Sequence, residues 1–179
     1  MQGAGKDARR RLRVLVATGL FALLLAVLAW WRQAPSASVV WSEQDRAQVM
    51  LPKGREAPDF ALPGRQGAEV SLASLRGGSA ALAFITAGCP YCQKLLARLD
   101  SVAVPAPRQV VAICRGTRAE ADSLARAHTF PYRILADCTG ATHKAYRVSG
   151  VPTVYLVDAR GRISGARSGW PGAWELMAQ

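Results

Sequence analysis

Histidine and cysteine, two common metal-ligand residues, are scarce in this sequence. It has two histidines and four cysteines among 179 residues. His128 and His143 have no partner spacing that suits metal or catalytic-triad chemistry, so we expect both to be solvent-exposed. Cys114 and Cys138 are single cysteines rather than a second closely spaced pair, which disfavours a zinc site. We therefore expect no metal site. Four cysteines are also too few for a small disulfide scaffold.

Acidic residues are few as well. The sequence has 12 Asp and Glu against 23 Lys and Arg, which gives a formal net charge of +11. The basic residues are scattered and are not interleaved with aromatic ones, so we expect a solvated basic surface and no nucleic-acid partner. Hydrophobic residues make up 50% of the chain. That length and composition predict one ordinary domain with a sizeable core and a short appendage.

Residues 14–31 (VLVATGLFALLLAVLAWW) form a long run without a charged residue. As an α-helix the run would span roughly 27 Å, about the thickness of a bilayer core. It has no polar face, and its final tryptophan pair is typical of a membrane interface. The run predicts an uncleaved transmembrane signal-anchor helix. A cleaved signal peptide, with small residues at 36–38 as the cleavage site, is the alternative.

The charges beside this segment predict its orientation. Residues 1–13 are rich in arginine, whereas only Arg32 follows the segment directly. The positive-inside bias keeps residues 1–13 in the cytoplasm and carries the rest of the chain across the inner membrane in a single pass. In a bacterial cell, residues 53–179 then form a domain in the periplasm or at the outer envelope face, connected by a linker over residues 32–52. That compartment is oxidising.

Residues 53–179 alternate between short apolar runs and amphipathic segments. The apolar runs predict buried strands at residues 80–86, 109–114, 133–136 and 154–157. The amphipathic segments predict helices at residues 92–102, 117–128 and 139–148. The second helix has Thr117 as its N-cap, and Glu120 completes a capping box. A turn at 158–161 leads to a hairpin partner at 162–166. The pattern predicts an α/β domain with a mixed sheet.

A Cys-Pro-Tyr-Cys motif lies at residues 89–92, where the first predicted strand ends and a helix begins. Two intervening residues let the sulfurs come within bonding distance on one helical turn. The N–H groups of a helix N-terminus stabilise a thiolate on Cys89, and Pro90 fits the first turn because its missing N–H is not needed there. The motif predicts a redox-active pair that needs no cofactor, with Cys89 as the exposed nucleophile and Cys92 as the resolving cysteine.

A second element, Gly150-Val151-Pro152-Thr153, precedes the last buried strand, and its proline is compatible with a cis peptide bond. Further motifs occur in the order Ala57-Pro58-Asp59-Phe60, Val70-Ser71-Leu72, Leu75-Arg76-Gly77, Leu135-Ala136-Asp137 and Tyr146-Arg147-Val148. With the two-cysteine motif, they make residues 53–170 resemble the membrane-anchored TlpA/ResA/CcmG-type thioredoxin-like proteins.

The resemblance implies a thioredoxin-like fold, a central mixed sheet flanked by helices, with Val151–Pro152 cis and facing Cys89. The backbone of Val151 would pair with an extended substrate segment. The substrate-binding residues implied in this way are Pro90, Tyr91, Val151, Pro152 and Thr153. The implied activity is a protein-disulfide reductase whose partners are client proteins with cysteines and a membrane electron-transfer protein. Cytochrome c biogenesis is one such setting.

Two departures from the family bear on the direction of electron flow. Gly88 stands where most such reductases have tryptophan, and Ala83 stands where thioredoxins have a buried acid. Without that carboxylate, proton removal from Cys92 must use water or another group. A Pro-Tyr dipeptide is typical of glutaredoxins, so an oxidase or isomerase stays open. The run at 89–96 also resembles MauD-type maturation proteins.

Three other functions compete with thiol–disulfide exchange by Cys89 and Cys92. The pair could be a structural disulfide without turnover, or its thiolates could bind copper in a copper chaperone. A peroxidase is favoured by Thr86, three residues before Cys89, and disfavoured by Leu82, which stands where the peroxidase pattern has proline.

Cys114 and Cys138 each lie at the carboxyl end of a predicted strand. If the two strands are parallel neighbours, the cysteines could face each other. The sequence is equally compatible with a second disulfide between Cys114 and Cys138 and with two buried free thiols.

Overall fold

The structure is a computed structural model that describes residues 50–64, 67–102, 109–128 and 132–179, together with Leu23. The chain divides into two compact units, Met1–Val40 and Trp41–Gln179. In the first unit, Leu23 is helical and exposed. The rest of the predicted membrane segment and most of the predicted linker lie outside the described residues. Within the described ranges, no helix is long and apolar enough to cross a bilayer.

The second unit alternates strands with helices, as predicted. Its described elements are β1 (Ala61–Pro63), β2 (Glu69–Ser71), a 3-10 turn (Ala73–Leu75), β3 (Ala80–Ile85), α1 (Pro90–Ser101), β4 (Gln109–Arg115), α2 (Arg118–Ala127), β5 (Arg133–Asp137), α3 (Ala141–Ala145), β6 (Thr153–Val157), β7 (Ile163–Ser168) and α4 (Gly172–Met177). The five predicted strands and the first two predicted helices are confirmed, each to within two residues at its ends.

The main sheet has the strand order β5-β4-β3-β6-β7. Strands β3, β4 and β5 run parallel, whereas β6 and β7 are antiparallel to their neighbours. Ile85, Cys114 and Ala136 stand in register at the carboxyl ends of the three parallel strands. The predicted mixed sheet of a thioredoxin-like α/β fold is therefore confirmed.

Alternate residues of β3 face two separate hydrophobic cores. Ala81 and Ala83 belong to the core that contains Leu95 of α1, and all three are 0% exposed. Phe84 belongs to the other core, where its ring centroid lies 4.9 Å from that of Tyr146. Because both faces of β3 are covered, the strand reads as a continuous apolar run.

The α3 helix is shorter than the predicted helix at 139–148. Gly140 precedes it with a φ of 70°, and Arg147 follows it with a φ of 53°. Both angles lie in the left-handed region, which interrupts a right-handed helix at each end.

A short antiparallel hairpin of β1 and β2 was not predicted. It pairs Leu62 with Val70 inside the stretch that reads as a succession of turns. Each strand has three residues. That is too short for an alternating hydrophobic pattern to be recognised.

The predicted capping box at the start of α2 is confirmed. The Glu120 carboxylate accepts the Thr117 backbone N–H at 2.7 Å, and Thr117 Oγ1 accepts the Glu120 N–H at 3.2 Å. The hydrogen bond from the Thr117 backbone lowers the pKa of Glu120. Two backbone donors that the helix itself leaves unpaired are thereby satisfied.

The expectation that both histidines are solvent-exposed is wrong. His143 is 3% exposed, and its Nδ1 lies 2.8 Å from Oδ2 of Asp137, which is itself 0% exposed. His128 is half-buried and its Nδ1 contacts the carboxylate of Asp100. Each imidazole is withdrawn from solvent, His143 fully and His128 in part, and the fold supplies each with the carboxylate partner that a buried polar group needs.

Candidate redox site

Cys89 and Cys92 lie at the N-terminus of α1, directly after β3. Cys89 is the N-cap, with extended backbone angles, and Pro90 occupies the first helical position. The Cys92 backbone N–H donates to Cys89 Sγ at 3.3 Å. Gln93 Nε2 donates to the Ala87 carbonyl at 3.0 Å and so holds the preceding loop against the helix. The geometry offers helix N–H groups to a negative charge on Cys89 Sγ.

The two thiols differ in access and in protonation. Cys89 is half-buried, whereas Cys92 is 0% exposed. Burial raises the pKa of Cys92 to about 12, and a hydrogen bond from the Thr86 backbone opposes this only in part. Negative charge on Cys89 raises the pKa of Cys92 further. Cys92 is therefore a protonated, inaccessible thiol while Cys89 can be reached from outside.

The Val151–Pro152 segment faces Cys89. Its peptide bond is cis, as the resemblance implied. The carbonyl oxygen of Val151 lies 3.7 Å from Cys89 Sγ. Val151 is half-buried and Pro152 is buried, so Val151 rather than the proline is the accessible residue of this segment.

Thr153 does not contribute a side chain to the surface, contrary to the role implied by the resemblance. It is 1% exposed. Its hydroxyl donates to the Gly150 carbonyl at 2.6 Å and lies 2.8 Å from Ser168 Oγ. The side chain can be buried because both partners satisfy the hydrogen-bonding capacity of its hydroxyl. Thr153 therefore stabilises the Val151–Pro152 segment through its hydrogen bond to Gly150.

Tyr91 lies on the solvent side of the site. Its side chain is 53% exposed, and Lys94 Nζ lies 5.3 Å from the centroid of its ring. Pro90 is exposed as well. Both intervening residues of the motif are therefore accessible to a docked chain, and their role in substrate binding stays a prediction.

Ala83 occupies the position at which thioredoxins have a buried acid, and it is apolar. Ala83 is 0% exposed and packs in the same core as Cys92. Asp137, the acid at the end of β5, is paired with His143, whose ring contacts Phe84 in the other core. Ala83 therefore supplies no carboxylate to take the proton of Cys92.

Cys114 and Cys138 differ in how accessible they are to solvent. Cys114 is 0% exposed and burial raises its pKa to about 11, whereas Cys138 is exposed. Strands β4 and β5 are parallel neighbours, as the disulfide hypothesis required. All four cysteines are free thiols in the structure. The disulfide between Cys114 and Cys138 stays a prediction, whereas the alternative of two buried thiols is wrong for Cys138, which follows the end of β5 and is exposed.

A groove beside the motif was not foreseen from the sequence. It has a volume of about 410 Å³ and is lined by Lys94, Ala97, Arg98, Trp170 and Trp174. A larger cavity of about 740 Å³ lies at the β5 edge of the sheet and contains no cysteine. The two tryptophans, four residues apart around Pro171 and Gly172, were the available sequence signal. Among the described residues, no group of three His, Cys, Asp or Glu side chains could hold a metal ion.

The sequence of the chain matches that of a known protein family. The profile of the AhpC/TSA family matches residues 53–166, well over half of the chain. The chain belongs to the AhpC/TSA family. The matched region of the family contains the two-cysteine motif, the Val151–Pro152 segment and all seven described strands except the end of β7. No curated protein sequence matches the chain.

Several solved structures share the fold of this family member. A protein of Chlorobium tepidum assigned as thiol:disulfide interchange protein DsbE is 29% identical, with a TM-score of 0.62, over 70% of this chain and 91% of its own. A protein of Bacteroides thetaiotaomicron assigned as a protein disulfide isomerase is 21% identical, with a TM-score of 0.63, over 72% and 87%. StoA of Bacillus subtilis is 21% identical, with a TM-score of 0.56, over 68% and 95%.

Proposed function

We propose that the chain is a thiol–disulfide oxidoreductase that exchanges disulfides with client proteins through Cys89 and Cys92. The observation that carries this proposal is the unequal pair of thiols at one helix N-terminus. Cys89 is accessible and receives a backbone N–H at 3.3 Å, whereas Cys92 is 0% exposed and has a pKa raised to about 12. The 29% identical protein assigned to thiol:disulfide interchange supports the same activity.

The exchange proceeds in two balanced steps. The Cys89 thiolate attacks one sulfur of a client disulfide, forms a mixed disulfide and releases the other client sulfur as a thiolate. Cys92 then gives its proton to water or to the client thiolate released in the first step and attacks Cys89 Sγ, which releases the second client thiolate. The client gains two electrons, and the protein ends as a Cys89–Cys92 disulfide. Formation of the mixed disulfide removes the charge of Cys89, which is one of the causes of the raised pKa of Cys92.

A client segment can lie beside the backbone of Val151. The Val151 carbonyl is 3.7 Å from Cys89 Sγ, so a chain paired with Val151 would present its own cysteine at the attacking sulfur. Pairing through main-chain groups tolerates many client sequences, because the hydrogen bonds do not depend on side chains. Tyr91 and Pro90 border this position on the helix side.

We propose that the physiological direction is reduction of the client, with electrons supplied by the dithiol of a membrane electron-transfer partner. The position of Ala83, which gives Cys92 no carboxylate, is the feature that bears against fast reduction. The midpoint potential of the Cys89–Cys92 couple tests the direction. A value below about −200 mV is expected for a reductase, and a value near about −120 mV would indicate an oxidant, as a MauD-type maturation factor could be.

Activity is tested with the full chain, reduced and mixed with insulin as a disulfide-bonded protein. We expect the wild-type chain and Cys138→Ser to reduce insulin at similar rates, and Cys89→Ser to reduce none. Cys138 is the matched control because it is an exposed thiol outside the motif. Tight stoichiometric copper(I) binding without any exchange would contradict the proposal in favour of a copper chaperone, and rapid turnover of hydroperoxide alone would favour a peroxidase.

We further propose that residues 14–31 anchor the chain in the inner membrane with residues 53–179 in the periplasm. The uncharged run and the arginines before it support this orientation. Protease added to spheroplasts should digest residues 53–179 while leaving a tag before residue 1 intact. Release of the chain into the soluble periplasmic fraction would show a cleaved signal peptide instead.

A further inference from the structure

The groove beside the motif is formed by two elements that are distant in sequence. Helix α1 contributes Lys94, Ala97 and Arg98, and the end of the chain contributes Trp170 and Trp174. The guanidinium of Arg98 lies over the Trp174 ring, 5.5 Å from its centroid. An arginine held against an aromatic face keeps its outward N–H groups in a defined direction. The groove therefore combines flat apolar walls with fixed positive charge.

The side of the groove that α1 forms carries only positive charge. The exposed residues of α1 include Lys94 and Arg98 and no acid. The one acid of α1, Asp100, is half-buried and contacts His128. Across the groove, α4 has a single acid, Glu175, next to Trp174. A ligand with carboxylates would meet two cations here, whereas a basic ligand would be repelled.

The residues that line the groove adjoin those of the redox site on two sides. The Gly169 N–H donates to the Pro152 carbonyl at 2.7 Å, and the next residue, Trp170, lines the groove. On the other side, Lys94 Nζ lies 5.3 Å from the ring of Tyr91. Cys89, Val151, Trp170 and Trp174 all pack against one core cluster. The groove and the redox site therefore adjoin the same core, and a client chain that continues from Cys89 past Tyr91 and Lys94 would reach the groove.

We propose that this groove binds an acidic segment of the client protein that flanks the reacting cysteine. The inference rests on the exchange activity proposed above and names the class of client that the site selects. Carboxylates of the segment pair with Lys94 and Arg98, and its apolar groups lie against Trp170 and Trp174. Charge complementarity at a rim acts mainly on the rate of encounter, so the selection is strongest at low ionic strength.

Two disulfide-bonded peptides of equal length test the proposal, one with glutamates after its cysteine and one with glutamines. The reduced full chain, in neutral detergent, is mixed with each, and the single-turnover rate constant is measured. We expect the wild-type chain to prefer the acidic peptide. In Lys94→Gln/Arg98→Gln, the ratio of the acidic to the neutral rate should fall about fivefold to tenfold, because each lost contact is an exposed charge pair.

The matched control is Lys144→Gln/Arg160→Gln, which removes the same charge from exposed positions outside the groove. It should keep the wild-type ratio. Equal rates for the two peptides in the wild-type chain, or an equal fall in both double variants, would overturn the proposal while leaving the exchange activity intact. Failure of the wild-type chain with both peptides would instead contradict the exchange activity itself.

A membrane surface is the competing occupant, because anionic headgroups also suit cations and tryptophan. The full chain is reconstituted in vesicles of phosphatidylcholine, with and without phosphatidylglycerol, where residues 14–31 hold the wild-type chain and the variant alike. Quenching of tryptophan fluorescence by bromine-labelled lipid then reports contact between the groove and the bilayer. Additional quenching that depends on phosphatidylglycerol and is lost in Lys94→Gln/Arg98→Gln, together with equal peptide rates, would assign the groove to lipid and overturn the proposal.

Discussion

Cys92 and Cys114 are fully buried thiols in the same core cluster of the protein. Burial raises the pKa of Cys92 to about 12 and that of Cys114 to about 11. In the unfolded chain a cysteine thiol has its ordinary pKa of about 8.5. Above that pH the unfolded state binds fewer protons than the folded state, so the free energy of unfolding falls as pH rises.

We therefore expect the reduced protein to lose stability between about pH 8.5 and pH 10, by about 1 kcal/mol per pH unit for each buried thiol. Urea unfolding at a series of pH values measures this. In Cys114→Ala the free energy of unfolding should fall less steeply with pH, by about 1 kcal/mol per pH unit, because one buried thiol is absent. The tyrosines that also titrate are common to both proteins, so an unchanged slope in Cys114→Ala would contradict the assignment.

Asp137 and His143 show what residue-by-residue reasoning missed. Asp137 Oδ2 accepts the His143 backbone N–H at 2.9 Å and contacts its ring Nδ1 at 2.8 Å. Burial lowers the pKa of His143, and the nearby Asp137 opposes that effect. The imidazole is then neutral, with Nδ1–H donating to the carboxylate. The pair joins the end of β5 to α3.

Removal of the Asp137 carboxylate should be costly. We expect Asp137→Ala to lower the free energy of unfolding by about 3 kcal/mol, because two buried donors on His143 lose their acceptor. Asp137→Asn should cost less, since its amide oxygen still accepts. Asp122→Ala is the surface control: its carboxylate meets Arg118 at 3.8 Å with both side chains partly exposed. There we expect a loss below about 0.5 kcal/mol. Similar losses at both aspartates would be contrary to this account.

At the scale of elements, α2 depends on its N-terminal cap. Thr117 and Glu120 satisfy each other's backbone N–H groups. We expect Thr117→Ala to lower the free energy of unfolding by about 1 kcal/mol and Thr117→Ser to change it little, because serine keeps the accepting hydroxyl. Chemical denaturation of the three proteins gives the comparison. Equal losses for alanine and serine would show that the methyl group, not the cap, is what matters.

The elements that could be predicted are those with a local signal. The strands of the main sheet are apolar runs bounded by turns, and α2 begins at a recognisable capping box. The β1–β2 hairpin has strands of three residues and gives no periodic signal. The early end of α3 depends on the left-handed conformation of Arg147, which most residues avoid. No sequence pattern indicates it.

At the scale of the whole molecule, the sequence locates the candidate site residues that lie in short motifs, but their surroundings could not be predicted. Cys89 and Cys92 lie in a short motif whose chemistry depends on residues close in sequence, whereas the position of Pro152 opposite Cys89 was implied by the family resemblance. The burial of Thr153 and the groove between α1 and α4 depend on contacts across long separations. Trp174 and Arg98 are an example, because they meet only when α4 packs beside α1.

The central claim is that Cys89 attacks the client and Cys92 resolves the mixed disulfide. The most direct test is to trap that intermediate. Reduced full-length Cys92→Ser is mixed with a disulfide-bonded peptide, and the adduct is located by mass spectrometry of non-reduced digests. We predict one stable adduct, on Cys89, that the wild-type chain does not accumulate because Cys92 releases it. An adduct mainly on Cys114 or Cys138, or no adduct at all, would contradict the account.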